Sequence, residues 1–456
     1  MNALIPRLIA IFLFIASGMA VAEKSPTRSV GVARVDITPE FPVRLSGYAV
    51  RKTEATNAVQ KLWTKAIAIG SDREGPALLI TVDNTGVPKH VRDAVVARLQ
   101  KKGLDPSRIA ICSSHSHCTP YLAGYLPTLF GAPLPPEHQA HVERYTSELV
   151  DAIERVALAA LKDRKPGRLA WAQGQAGFAA NRRTPGGPVD HALPLLAVTD
   201  AKGKLRALLV SYACHCTTLG GDFNQVCGDW AGYAQEFLER DHPGVTVLVA
   251  IGCGADSNPA PRGTIELAQR HAGEIATNIQ TLLTGKLTPV AGKLSCREKA
   301  IEIPFDTLPT RAEFETRAKE TNYVGYHARW NLAKLDRGET LPTTLPYLVQ
   351  AWSFGHDLAL VFLPGEVVVD YSLRLKREFD AARFWVNAYA NDVPCYIPSE
   401  RILREGGYEG GGAMTYYGWP TRFAPGLEDR IVSTVHELLP PEFLSAHTPT
   451  EPPISR

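Results

Sequence analysis

Two histidines separated by one serine, His115-Ser116-His117, follow directly on the short apolar run Ile109-Ala110-Ile111. The run reads as a buried strand, so the histidines stand where the chain leaves a sheet, the place where ligands gather in α/β folds. Imidazole is the commonest metal ligand and the side chain that titrates nearest neutrality. The pair therefore points to metal binding or proton transfer, with hydrogen-bonded histidines in a polar loop as the plain alternative. The design recurs downstream, where an apolar strand beginning at Leu208 ends in His215. Convergence of His115 and His215 on one sheet edge is the expectation. Cys214 and Cys216 flank His215, but on a continuing strand both would point away from it, which favours the histidine as ligand. Glu366, in Pro364-Gly365-Glu366, stands between an apolar strand and a helix. It either joins a site or complements the positive end of that helix.

The elements that must hold these residues are legible as patterns. Strands are expected at 30–39, 62–69 and 77–82, the last ending in Asp83-Asn84. After Pro88, Val91, Val95 and Leu99 recur at helical spacing, and the strand before His115 follows. Residues 126–137, rich in Pro and Gly, read as a long surface loop overhanging the site. Val142, Tyr145, Leu149, Ile153, Val156 and Ala160 trace one apolar helix face. Further strands are expected at 169–172, 193–198 and 245–251, with 180–183 a polar loop and Asp229 capping a helix that carries Trp230. The small-residue turn 252–259 lets backbone approach a ligand closely and lacks the Gly-Lys-Ser/Thr of a P-loop. Helices are expected at 264–283, 310–335, 367–379 and 427–439, and strands at 347–354, 358–363 and 384–390. Alternating strands and helices of this kind make an α/β fold: a layered mixed β-sheet core flanked by helices. No repeat, heptad or linker interrupts it, so one large domain over 23–445 is expected, with 446–456 as a tail.

The chain has 456 residues, 49 Lys+Arg against 47 Asp+Glu, and 45% hydrophobic content. That is ordinary globular composition, and a formal charge of +2 gives no electrostatic case for a nucleic-acid partner. Residues 1–22 differ: Arg7 precedes an apolar run, and Ala20-Val21-Ala22 offers small residues for cleavage. This is the pattern of a signal peptide, too short for a membrane span, so a secreted or periplasmic chain beginning near Glu23 is expected. An oxidising destination permits disulfides among the eight cysteines. Their spacing includes no Cys-X2-Cys pair, which argues against a structural zinc knuckle.

At this point the chain resembles a known family, the neutral (non-lysosomal) ceramidases, over their N-terminal catalytic domain. The matching segments begin at Val30-Gly31-Val32-Ala33-Arg34-Val35-Asp36-Ile37-Thr38. The family's first histidine motif appears as His115-Ser116-His117-Cys118-Thr119-Pro120, its Asn-Arg-Ser segment as Asn181-Arg182-Arg183, and its second histidine in Tyr212-Ala213-Cys214-His215-Cys216-Thr217. Gly365-Glu366 matches a strand-end Gly-Glu, and Tyr396 with Tyr408-Glu409-Gly410 keeps the family's Tyr-X11-Tyr-Glu-Gly spacing.

The resemblance implies one catalytic zinc held by His115, His215, Glu366 and Tyr396. His117 would carry protons, Arg182 and Tyr408 would donate to the oxyanion of the reacting carbonyl, and Ser257 would lie near the substrate's polar head. It also implies a secreted zinc-dependent amidase that cleaves ceramide or a related N-acyl lipid and touches a membrane surface transiently. The departures are three. This chain is expected to lack the immunoglobulin-like domain of larger members, the segment after Pro120 lacks their glycine-rich continuation, and Cys216 replaces the usual residue after the second histidine. These bear on the acyl pocket rather than the metal set, so another N-acyl amine is the alternative substrate. A non-catalytic lipid- or glycan-binding homologue is the alternative from a different class.

Overall fold

The computed structural model describes residues 26–445; the expected leader (1–22) and tail (446–456) lie outside the described residues. In chain order it begins with β1 (Arg28–Asp36), β2 (Trp63–Ile69), β3 (Ala77–Val82), α1 (Lys89–Gln100), β4 (Ile109–Ser113), α2 (Pro136–Lys162), β5 (Lys165–Gln175) and β6 (Ala179–Asn181). Next come β7 (Ala192–Asp200), β8 (Leu205–Tyr212), α3 (Asp229–Asp241), β9 (Thr246–Ile251), β10 (Ser257–Pro259), α4 (Ile265–Thr284), β11 (Thr288–Pro289) and β12 (Leu294–Pro304). Then follow α5 (Arg311–Arg317), α6 (Tyr323–Asp336), β13 (Thr344–Phe354), β14 (Leu358–Phe362), β15 (Glu366–Val367) and α7 (Val369–Glu378). The last are β16 (Phe384–Asn387), β17 (Tyr396–Ile397), α8 (Glu400–Glu405), α9 (Met414–Tyr417) and α10 (Leu427–Leu438).

Nine strands form one mixed sheet in the order β4-β3-β2-β1-β5-β7-β8-β9, with β11 added on β5. The β3/β4 and β8/β9 pairs are parallel. A four-stranded sheet, β12-β13-β14-β16, packs on one face of the large one. The period of two sorts the side chains between the faces. In β3, Leu78, Ile80 and Val82 belong to the core under the helices, whereas Ala77 and Leu79 meet Trp352, Phe354, Leu360 and Phe362 of the second sheet. With both faces covered, β3 and β4 are mostly apolar, with Thr81 and Ser113 the polar exceptions, and wholly buried. Helices α1 to α4 cover the outer face of the large sheet and α10 covers the small one. The architecture is α/β: two layered sheets flanked by helices.

The histidine-bearing strands do not share one sheet edge, which corrects the expectation. β4 ends one flank of the sheet order and β8 lies beside the opposite end. They meet because the twisted sheet returns on itself and brings β9 against β2 and β4. Lys65 on β2 reaches across to the Val247 carbonyl of β9 at 2.8 Å. Residues after β16 close the gap: Ala388 N–H donates to Ile251 O, and Asn391 N–H donates to Ile111 O.

Other expectations change in detail. The helix expected at 310–335 is broken into α5 and α6, because Asn322 caps the Val324 and Gly325 N–H groups and restarts the coil. The loop before α2 is not merely superficial, since Leu126 and Leu129 are buried. Part of 180–183 is strand, β6 pairing with β10. Helix α7 starts two residues later than expected because Glu366–Val367 pairs with β17. The 384–390 strand stops at Asn387, after which Tyr389 and Asn391 adopt positive φ. Asp229 is the first helical residue rather than the cap, and its carboxylate accepts from Leu219 N at 2.9 Å. All eight cysteines are free thiols, seven of them buried. No helix of the described residues is long and apolar enough to cross a membrane.

Helix α7, which follows Glu366, is anchored by Asp190. Its carboxylate accepts from Ser372 Oγ and Lys376 Nζ, both at 2.6 Å, and from Ala192 N at 3.1 Å. Burial pushes this carboxyl up, but Lys376 and the hydrogen bonds outweigh it and hold the pKa below the usual range. A depressed folded pKa contributes stability above the unfolded value of about 3.9 that disappears as pH falls through the lower folded one. Asp190→Asn is expected to cost about 1.5–3 kcal/mol at pH 7, as for a hydrogen bond to a charged group. The difference from wild type should shrink below about pH 4 in urea titrations run across pH.

Candidate metal centre

His115 lies two residues past β4 with φ +54, a left-handed conformation that costs a non-glycine residue energy and is met at functional sites. It is wholly buried, its Nδ1 lies 2.6 Å from Thr85 O, and its ring stacks on Tyr389 with centroids 4.1 Å apart. His215 is held alike. Its Nδ1 is 2.8 Å from Gly254 O, its N–H donates to Ser257 O, and Trp230 Nε1 donates to its carbonyl. Because both Nδ1 atoms face carbonyl oxygens they carry the protons, and both Nε2 atoms present lone pairs. Burial, then Arg182 and His115, hold the His215 imidazole down to about 4, so it is neutral near pH 7.

Glu366 reaches this spot because β15 and β17 pair in register, Glu366 beside Tyr396. The preceding turn needs glycine: Gly365 has φ +84, and a Cβ there would lie 2.7 Å from Cys395 O. Glu366 Oε2 is 3.2 Å from His115 Nε2 and 3.1 Å from His215 Nε2, and Tyr396 OH is 3.3 Å from His215 Nε2. Burial would raise the Glu366 carboxyl, but the two histidines hold it well below the usual range. Burial also pushes the Tyr396 phenol well above its ordinary value, against the opposing Arg182 charge.

This donor set fits a metal ion. Two imidazole lone pairs and a carboxylate oxygen converge with no proton between them, an arrangement that a cation relieves. At metal–ligand distances of about 2.0–2.2 Å, tetrahedral donors lie roughly 3.3 Å apart, and the observed separations are 3.1–3.3 Å. His117 belongs to the same cluster, with its Nε2 3.1 Å from His115 Nε2. The structure thus brings five donors together, more than the three protein ligands and open position usual for catalytic zinc. His117 stands at the solvent side, and its buried Nδ1 has no hydrogen-bond partner.

The remaining expected residues surround this cluster. Arg182 donates through Nη2 to Tyr396 OH at 3.0 Å and through Nε to Glu409 at 2.7 Å. Its guanidinium lies 5.5 Å from the ring centroids of both Tyr396 and Tyr408. Tyr408 is 45% exposed, a rim position. Ser257 supports the His215 backbone, and its own buried hydroxyl has no protein partner.

Several contributors were not singled out by sequence reasoning. Tyr417 donates a short hydrogen bond to Glu366 Oε1, and Tyr389 forms the platform under His115; neither sits in a distinctive local pattern. Glu409 clamps both Arg182 and Arg183, and its place beside Tyr408 in the Tyr-Glu-Gly segment was the available signal. Gly47 opposes His117: its φ is +84, and a Cβ there would lie 2.4 Å from His117 Cγ and Nδ1. Gly47→Ala should therefore push the imidazole aside. We expect a loss on the order of 10²-fold in turnover, as for a 1 Å misplacement, and about 1–3 kcal/mol of stability from backbone strain. Steady-state kinetics and denaturant melts read the two effects.

The comparisons with known proteins bear on the family and the fold. The family model for the N-terminal part of neutral/alkaline non-lysosomal ceramidases matches residues 29–303, more than half of the chain. A neutral ceramidase of Pseudomonas aeruginosa is 24% identical over 299 residues, 61% of this chain and 41% of that relative. The sequence match therefore spans less than half the length of that protein. A solved ceramidase described as complexed with C2 superposes with a TM-score of 0.71 at 18% identity, covering 91% of this chain and 76% of the other. The crystal structure of neutral ceramidase from Pseudomonas aeruginosa gives 0.69 at 19% identity, covering 94% and 77%. At such identities these two likenesses speak for the fold. The family match covers the strands and loops that carry both histidine segments, and this chain belongs to the neutral/alkaline non-lysosomal ceramidase family.

Proposed function

We propose that this chain is an exported zinc-dependent amidase that hydrolyses the N-acyl bond of ceramide or a related N-acyl lipid, releasing a fatty acid and an amine. The observation that carries the reading is the meeting of His115, His215 and Glu366 at 3.1–3.2 Å, with both imidazoles oriented by backbone carbonyls. His115, His215, Glu366 and Tyr396 would hold one zinc ion. Zinc in such a site supplies Lewis-acid chemistry, polarising a carbonyl and lowering the pKa of water from about 15.7 to about 7.

The chain's own residues do the rest. His117 Nε2 accepts the proton of the attacking water and returns it to the departing amine nitrogen, as a general base and then a general acid. Arg182 and the Tyr408 hydroxyl donate to the oxyanion, where loss of one donor typically costs about 3–4 kcal/mol. Glu409 holds Arg182 in place through the 2.7 Å contact to its Nε. Thr85 and Gly254 carbonyls keep the two ligand rings in one tautomer. The segment from Arg7 to Ala22 supports export, secreted or periplasmic. A lipid substrate would bring the protein into transient contact with a membrane surface.

The test is to purify the mature chain, measure bound zinc, and assay release of fatty acid from ceramide and a panel of N-acyl amines. About one zinc per chain with hydrolysis of ceramide is expected, since a catalytic site of this type holds a single ion. Cleavage of another N-acyl amine in preference to ceramide would move the substrate while leaving the chemistry. A stoichiometric metal site without amide hydrolysis on any of them would overturn the reading.

A further inference from the structure

Among the described residues only five large hydrophobic side chains are exposed, and two of them, Tyr408 at 45% and Tyr323 at 43%, belong to one line of rings. Tyr396, at the metal centre, meets Tyr408 with centroids 5.1 Å apart. Tyr408 lies 6.1 Å from Tyr416, and Tyr416 stacks on Tyr323 at 4.9 Å and 26°. The line thus leads from a buried donor out to solvent. Its inner end is polar, because Arg182 lies over both Tyr396 and Tyr408. The backbone beneath it is fixed, since Thr128 hydrogen-bonds to Thr415 O and to Tyr416 O.

Exposed aromatic surface joined to a polar site marks a binding surface rather than random exposure. Tyrosine suits such a surface, because its ring gives a flat apolar face at low conformational cost while the hydroxyl stays wet. We infer that Tyr408, Tyr416 and Tyr323 form a track for an unbranched alkyl chain of the substrate whose amide sits at the metal centre. The inference rests on the amide-hydrolase reading and deepens it by assigning chain-length preference to this ladder. A short chain ends near Tyr408. A long one continues over Tyr416 to Tyr323, gaining apolar burial with each ring passed. The chain can belong to the acyl side or to the amine side of the amide, and the chemistry of the track is the same for both.

Tyr323 is the residue to change, because it is exposed and begins α6, where alanine is a good helix former. Three amides are compared on wild type, Tyr323→Ala and Tyr323→Phe: acetyl and hexadecanoyl on one long amine, and hexadecanoyl on a short amine. For Tyr323→Ala we expect kcat/KM to fall about tenfold, through KM, on the substrates whose long chain occupies the track. Change on their short-chain counterparts should stay within about twofold, and Tyr323→Phe should behave as wild type because the apolar ring face is kept. The series with which the loss varies says which side of the amide the track holds. Binding of uncleavable N-methyl and N-hexadecyl ureas, read by calorimetry, repeats the comparison without turnover. Absence of hydrolysis together with a chain-length-dependent loss of urea binding would sink the amidase reading and leave the track standing. An equal loss for short and long chains, or none, in binding and turnover would overturn the track.

Discussion

Replacing Glu366 with glutamine is expected to empty the metal centre and abolish amide hydrolysis. Glutamine keeps the size of the side chain and removes the only formal negative charge among the five converging donors. Glu366 Oε2 bridges the two imidazoles at 3.2 and 3.1 Å, so its charge offsets the cation where both nitrogens face it. Metal affinity should fall by more than the roughly 10–100-fold that loss of an outer-shell partner costs. Tyr417→Phe provides that outer-shell comparison, since Tyr417 donates to the other oxygen of the same carboxylate. Metal content of the purified variants by mass spectrometry, against wild type, reads both. A Glu366→Gln protein that keeps its full complement of zinc would remove Glu366 from the ligand set, whatever its activity.

His117→Gln is expected to separate chemistry from metal binding. In the proposed mechanism this side chain moves protons, a role typically worth about 10²–10⁴-fold in rate. Turnover should therefore fall by that order while zinc content and KM change little. Yet His117 Nε2 lies 3.1 Å from His115 Nε2, as near as the proposed ligands lie to one another. If His117 is a ligand instead, the same variant loses zinc with its activity, and Tyr396→Phe should then retain both. Measuring metal and turnover on both variants decides between a Tyr396 set and a three-imidazole set. Burial, and then the neighbouring His115 and His215, hold the His117 imidazole well below its usual range, so in this arrangement it is a neutral proton acceptor near pH 7.

The sequence by itself determined the parts. The strand ends before His115 and His215 were readable because the short apolar runs Ile109–Ile111 and Leu208–Val210 mark strands covered on both faces. The stop at Gly365 placed Glu366 at an element boundary. The spacing of Tyr396 and Tyr408 pointed to two further site positions through family resemblance. β12 escaped because an edge strand with Arg297, Glu298, Lys299 and Glu302 shows no apolar run. The break between α5 and α6 depended on which of several polar residues captured free N–H groups.

Only the tertiary structure decided how the parts meet. Local patterning reflects neighbours a few residues away, whereas the approach of His115 to His215 depends on a sheet that turns back until β9 faces β2 and β4. That closure comes from two sheets packing over a shared apolar layer and from residues 388–391 bridging both flanks. The Tyr389 platform and the Tyr417 contact are products of the same closure. They join residues up to 274 positions apart, from His115 to Tyr389, and no spacing along the chain encodes such a distance.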